Sequence, residues 1–308
     1  MEELAKISRT SWPYVVGLAL LFVSIFNVTD LTKLQVSPRS DIVWLGIVLG
    51  IGVILAGLAT TLWRVGALPM VGRRHTSRKN DCWQAKFGRT EIRIAFGRLQ
   101  DKAPHHPAKG AAVVLPASEF LDDHCLEVPR TACADYVKAR FSDLPGFRGQ
   151  LASARTDLGA GSRVEKEPGV FEISYGAGQC IFLREPLGTT PSIYLAAVST
   201  KRAGTGLRST FGHIDCAVEN IIRRASDERL SSIYMPLMGA GEGGLSAHAS
   251  FMALLLSLAI AIRRQAPGSL EAVTVVIYRA DAQSLPALSP GTARDALEMV
   301  ARMNAEWN

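Results

Sequence analysis

The segment Met238-Gly239-Ala240-Gly241-Glu242-Gly243-Gly244-Leu245 holds four glycines in six residues, between an apolar run ending at Leu237 and an apolar stretch that begins at Ala247. Glycine lets a backbone turn sharply and lets a ligand approach it closely. With a strand before the loop and a helix after it, the helix N-terminus adds free N–H groups and the positive end of a dipole. That combination suits an anion, and a diphosphate in particular. Gly239, Ala240, Gly241, Glu242, Gly243 and Gly244 are therefore the expected phosphate-binding residues. The competing reading is a tight turn with nothing bound, and the glycine content is high for that.

Gly239, Gly241 and Gly244 also match GxGxxG, the spacing of a dinucleotide site. That fingerprint normally opens its fold and is followed by an acid about 20 residues on. Here one strand and one helix remain, and the nearest candidate, Asp281, lies 37 residues past Gly244. GxxxxGK[ST] is absent as well, so a P-loop NTPase is not indicated. Cys82, Cys125, Cys133, Cys180 and Cys216 are odd in number and form no CxxC pair, which suggests neither a disulfide framework nor a zinc site. Such thiols read as small buried side chains in a reducing compartment. Neither a catalytic residue nor a metal ligand is singled out.

The elements that must position the loop follow from periodicity. Glu91–Phe96, Ala111–Leu115, Gln179–Leu183, Ile193–Val198, Ser232–Leu237 and Val273–Tyr278 read as strands. Pro129–Phe141 reads as a helix with Pro129 in its first turn. Phe211–Arg229 is a clear amphipathic helix, with Ile214, Ala217, Val218, Ile221, Ile222 and Ala225 on one face. Ala247–Arg264 is a helix whose apolar part, Phe251–Ile262, rises only about 18 Å, too short for a bilayer. It is expected to pack on a sheet. Thr292–Glu306 closes the chain with Thr292 as N-cap, and Gly146–Gly169 reads as a loop or weak edge. Alternating strands and helices imply an α/β fold, a mixed sheet sandwiched by helices. Ser199, Thr200 and Lys201 follow the strand ending at Val198, so in a parallel sheet they reach the rim the glycine loop occupies. Lys201 there suits a phosphate, or is a solvated surface lysine.

Residues 1–63 read as a transmembrane hairpin. The segment 42–63 carries no charge and as a helix rises about 33 Å, against a hydrocarbon core of about 30 Å. Trp44 and Trp63 sit near its ends. The segment 12–28 is a shorter first span; no small-x-small site marks it as a cleaved signal peptide. Residues 64–90 are a basic connector, and 91–308 the ligand-binding domain. The formal net charge is +6, yet residues 1–80 hold nine Lys/Arg against four acids, leaving the remainder close to neutral. That distribution argues against nucleic acid and, with five Lys/Arg from Arg64 to Lys79, places both termini in the cytoplasm. Gly46, Gly50 and Gly57 share an arc of about 40° on the second span, a smooth face for helix–helix packing and a homo-oligomer.

A strand ending in a Pro-containing, GxGxxG-like turn before the penultimate helix resembles a macro domain. The segment Val114-Leu115-Pro116-Ala117-Ser118-Glu119-Phe120-Leu121-Asp122-Asp123 resembles the strand and loop where that family places its adenosine-ribose contacts. The resemblance implies that Ser118, Glu119 and Phe120 line the adenosine end of an ADP-ribose-type ligand, with no other cofactor. Ser118 stands where the family usually has asparagine, and Leu126–Ala132 holds no glycine where it usually has a first glycine-rich loop. The full layout is similar to the two-transmembrane macro-domain effectors of type II Thoeris anti-phage defence. It implies a non-enzymatic sensor in the bacterial inner membrane, a signal nucleotide made from NAD by a TIR-domain partner, and membrane disruption on binding. The alternative is a membrane-anchored ADP-ribosyl hydrolase, for which Glu242 and Asp122 are the nearby carboxylates.

Overall fold

The computed structural model describes residues 75–306, apart from 80–81, 107, 109, 130, 189, 202, 266–267 and 279–287. The predicted spans 12–28 and 42–63, Gly46, Gly50 and Gly57, most of the connector, and Asp281 lie outside the described residues.

Ten strands are described: β1 (Thr76–Lys79), β2 (Cys82–Phe87), β3 (Thr90–Phe96), β4 (Ala111–Ser118), β5 (Ser162–Glu167), β6 (Val170–Ser174), β7 (Cys180–Leu183), β8 (Ser192–Ser199), β9 (Ser232–Pro236) and β10 (Ala272–Ile277). Eight form one sheet in the order β1-β2-β3-β10-β9-β4-β8-β7; β5 and β6 form a separate hairpin. The five central strands, β3 to β8 in that order, run parallel, and β2 and β7 flank them antiparallel. Strands covered on both faces read as near-continuous apolar runs. β8 (SIYLAAVS) and β10 (AVTVVI) are buried throughout and fit this pattern.

Helices α3 (Phe211–Asp227), α4 (Ala247–Gln265) and α5 (Pro290–Glu306) cover one face, packing on Ala112, Val114, Ile233 and Val275. Helices α1 (Ala132–Arg140) and α2 (Leu144–Thr156) cover the other, where Val113, Leu115, Ile193 and Leu195 point. The two sets of β4 residues alternate because successive strand side chains face opposite ways. Among the described residues α4 is the one helix long and apolar enough to cross a membrane, and its Phe251, Leu254, Leu255, Leu258 and Ile262 are buried in the core.

Four sequence expectations are corrected. The connector does not extend to residue 90: β1 (Thr76–Lys79) and β2 (Cys82–Phe87) form an edge of the sheet. Trp83, Ala85 and Phe87 turn inward at every second position, a pattern masked by the basic residues around it. Gly146–Gly169 is ordered structure: α2 lies within Leu144–Thr156, and Pro168-Gly169 turns β5 into β6. The Asp143 carboxylate caps α2 by accepting from Gly146 N–H at 2.9 Å, and Phe147 and Leu151, one turn apart, are buried. Helix α1 begins at Ala132, because the Thr131 hydroxyl accepts from Ala134 N–H at 3.1 Å. Ser289, not Thr292, caps α5; its hydroxyl accepts from Thr292 N–H at 3.1 Å.

Candidate functional site

β4 and β9 pair only from Ala111–Val113 against Ser232–Tyr234. Beyond that β4 continues to Ser118 along β8, while β9 continues to Pro236 along β10. The sheet therefore divides between them at its carboxyl edge. The chain leaves β4 for β7 and β8 on one side and leaves β9 for β10 on the other. A parallel sheet forms its ligand crevice at such a switch point.

The glycine loop hangs over this division. Gly239 has φ +84 and Gly244 φ +75, values that disfavour other residues. A Cβ on Gly239 would lie 2.8 Å from Ser209 Cβ, and one on Gly243 would lie 2.2 Å from Ser209 Oγ and 2.8 Å from Gly239 O. Ser209 N–H donates to Gly243 O at 2.8 Å and its hydroxyl to Val198 O at 2.8 Å. Ser209 thus staples the loop to the end of β8, and two of the glycines are required by that contact. A Cβ on Gly241 or Gly244 would meet nothing within 4 Å. Gly244 N–H donates to Gly241 O and Leu245 N–H to Gly239 O. The N–H groups of Ala240, Gly241, Glu242 and Gly243 donate to no acceptor among the described residues, and Gly241 and Glu242 are exposed. The first turn of α4 is capped by its own chain: Ser246 Oγ accepts from Ala249 N–H at 3.2 Å. Anion-binding capacity therefore sits in the loop more than in the helix end.

The other expected site residues divide. Ser118 is half-buried where the β4–β8 register shifts. Glu119 and Phe120, expected to line the adenosine end, are both buried among groups of the chain itself. Glu119 is 2% exposed; Oε2 accepts from Ser174 Oγ at 2.6 Å and Oε1 from Lys201 N–H at 3.0 Å. Its own N–H donates to Ser199 O, and its carbonyl accepts from Tyr175 N–H. It is a strut joining the ends of β4, β6 and β8. Phe120 is fully buried, with the Lys166 ammonium 5.0 Å above its ring. Ser199 is buried and donates to Ala117 O at 3.4 Å. Thr200 pairs with Arg208 through two backbone bonds of 2.9 Å. Lys201 Nζ is 2.7 Å from Glu167 Oε1 and holds that carboxyl below its usual range, so the ammonium expected for phosphate is directed to the β5–β6 hairpin.

The hairpin is fastened a second time by Lys166, whose Nζ lies 2.6 Å from Asp122 Oδ2 and 3.1 Å from Glu172 Oε2. Burial works to lower the Lys166 ammonium, but the two carboxylates outweigh it and hold it above the usual lysine range. Asp122 is thereby committed to an ion pair. Sequence reasoning missed Ser209, Ser174 and Lys166, whose distant partners Gly243, Glu119 and Asp122 lie 34, 55 and 44 positions away and leave no local signal. A cavity of about 210 Å³ lined by Leu126, Glu127, Val137, Lys138, Leu144 and Arg148 lies elsewhere and contains none of the expected residues. No cluster of three or more His, Cys, Asp or Glu suited to a metal exists among the described residues.

Fold and site together define a three-layer α/β domain with a divided sheet and a glycine-loop cradle of open N–H groups at its carboxyl edge. No protein-family model and no curated protein matches the chain. Solved structures similar to it include the Oceanobacillus iheyensis macrodomain with ADP, at a TM-score of 0.48 and 12% identity, covering 76% of this chain and 100% of that one. The same macrodomain with MES bound gives a TM-score of 0.47 at 13% identity, over 73% of this chain and 97% of that one. The Trypanosoma brucei macrodomain in complex with ADP-ribose gives 0.41 at 11% identity, over 67% of this chain and 68% of that one.

Proposed function

We propose that residues 75–306 form a macro-like sensor domain that binds an ADP-ribose-type nucleotide in the crevice between β4 and β9. The observation that carries this reading is the run of N–H groups from Ala240 to Gly243, without acceptors among the described residues, at the mouth where the two strands part. Consecutive amides of this kind cradle anions, and a diphosphate presents enough oxygens to accept from several at once. Ser118 stands at the end of the opposite strand and would meet the adenosine side. Glu119 and Lys201 shape this edge from behind through the contacts described above.

The rest of the reading concerns the N-terminal segments. Spans 12–28 and 42–63 anchor the chain in a bacterial inner membrane with both termini cytoplasmic. The signal is made from NAD by a TIR-domain partner. Binding favours an oligomer packed through Gly46, Gly50 and Gly57, and the assembled spans disrupt the membrane. What supports this part is the uncharged second span and the basic residues beside it. The hydrolase alternative draws no support from Asp122, which is held by Lys166.

Calorimetry of the full-length chain in detergent tests the binding step, with ADP-ribose, AMP and ribose 5-phosphate as titrants. ADP-ribose is expected to bind tighter than either single phosphate and to be recovered unchanged by chromatography. Equal affinity for AMP and ADP-ribose would remove the diphosphate from the argument, and absence of binding would sink the reading.

A further inference from the structure

Cys125 and Cys133 are eight positions apart, and their Sγ atoms lie 3.0 Å from each other. Cys125 sits half-buried in the 3-10 turn Asp123–Leu126; Cys133 is fully buried in the first turn of α1. Thr131 brings the two together. Its hydroxyl accepts from Ala134 N–H at the start of α1, and lies 3.3 Å from Cys125 O and 3.0 Å from Val128 O, to which it donates. The turn is thereby folded back onto the helix that carries the second sulfur. A disulfide bond of about 2.05 Å requires these sulfurs to close by only about 1 Å.

We propose that Cys125 and Cys133 are a peroxide-responsive dithiol, a modification site that closes to a disulfide and pins the turn beside Asp122 to α1. Cys125, the half-exposed sulfur, attacks one oxygen of hydrogen peroxide as thiolate. The O–O bond breaks, the leaving hydroxide takes up a proton as water, and Cys125 becomes a sulfenic acid. The Cys133 sulfur then attacks the sulfenic sulfur. The S–O bond breaks, its hydroxyl leaves as water with the Cys133 proton, and the S–S bond forms. The two sulfurs together lose two electrons and one peroxide gains them.

The order follows from access. Peroxide reaches Cys125, whereas Cys133 has no exposed surface, and its thiol is pushed up by the hydrogen bond with Cys125 and by burial. A third soft ligand is absent from the metal-type clusters of the described residues, so two sulfurs at this distance suit each other better than a metal. The structural consequence falls on Asp122. In the thiol form Cys125 Sγ lies 3.6 Å from Asp122 O and donates to it, and Asp122 in turn holds Lys166. The disulfide replaces that weak donor with a covalent tether. In a reducing compartment such a bond is transient, which is the behaviour of a sensor and not of a structural staple.

The test uses the full-length chain, reduced, then treated with one equivalent of hydrogen peroxide, blocked with maleimide after denaturation, and digested with trypsin. Arg130 lies between the two cysteines, so the disulfide joins two separate peptides. The joined Cys125–Cys133 peptide is expected as the main product and is lost on dithiothreitol, while Cys180 and Cys216 stay maleimide-labelled. In Cys133→Ala the joined peptide disappears and Cys125 instead accumulates a sulfenic acid that dimedone labels. Maleimide on both Cys125 and Cys133 after peroxide, with Cys216 oxidised instead, would overturn the proposal. So would Cys125 joined to a cysteine other than Cys133.

Discussion

Gly241 is the position where the anion cradle can be tested without disturbing its frame. A Cβ there meets nothing within 4 Å, and the residue is exposed and is not one of the positive-φ glycines. Gly241→Asp is therefore expected to fold as the native chain does. Its carboxylate would stand about 5 Å from a phosphate held by the loop amides. One pair of unit charges at that separation repels by about 3 kcal/mol at an effective dielectric of about 20. Every 1.4 kcal/mol is a factor of ten, so ADP-ribose affinity should fall by roughly two orders of magnitude. Calorimetry measures the loss, and thermal unfolding confirms an unchanged fold. Because the repulsion is electrostatic, the deficit should shrink as salt is raised and the Debye length falls below about 10 Å. Gly241→Ala separates charge from bulk and should bind within a few-fold of the native chain. A folded Gly241→Asp with native affinity would refute the cradle. If Gly241→Ala cost as much as Gly241→Asp, the charge argument would fail.

The neighbouring Gly243→Ala should behave oppositely, because its Cβ would stand 2.2 Å from Ser209 Oγ and 2.8 Å from Gly239 O; overpacking of this kind costs about 1–3 kcal/mol, read as a lowered Tm, and native stability would show that Ser209 yields freely. Glu119→Ala removes a buried acceptor and leaves Ser174 Oγ and Lys201 N–H without it, at about 1–3 kcal/mol per stranded donor; proteolysis in the β5–β6 hairpin should rise with it, and an unchanged digestion pattern would argue against the strut. Glu298 accepts from His75 and Thr76 N–H, the Thr76 hydroxyl and Arg302. Burial alone would raise its carboxyl, but these bonds hold it below the usual value. Its contribution to stability is therefore complete above the unfolded value of about 4.3 and is lost as pH falls through the lower folded value. Denaturant titrations across that range should show a steeper acid loss in the native chain than in Glu298→Gln. In the N-terminal segment, Gly50→Leu should leave ADP-ribose affinity intact yet abolish toxicity in cells at equal membrane expression, since leucine would hold packed helices apart.

Much of the frame was legible from local pattern. The period of Ile214, Ala217, Val218, Ile221, Ile222 and Ala225 marked α3, and near-continuous apolar runs marked β8 and β10, because a repeat of side chains reports directly which faces are covered. The length of Phe251–Ile262 was enough to assign that stretch to a core and not to a bilayer. The glycine loop was legible as a sharp strand-to-helix connection at the carboxyl edge of the sheet, since glycine placement is a backbone matter confined to a few residues. The reach of one residue's side chain across the fold has no such local trace. Only the tertiary structure showed that Gly239 and Gly243 are glycines on account of Ser209, while Gly241 leaves open space. It turned Glu119 and Phe120 inward and gave Lys201 to Glu167. It also set Cys125 against Cys133, two of five cysteines that sequence spacing alone left unrelated. Residues 146–156 looked like part of a loop because Gly and Ser have poor helix propensity, worth at most about 1 kcal/mol each. An Asp143 cap and the burial of Phe147 and Leu151 outweigh that deficit, and burial depends on the partner surface the rest of the chain folds to present.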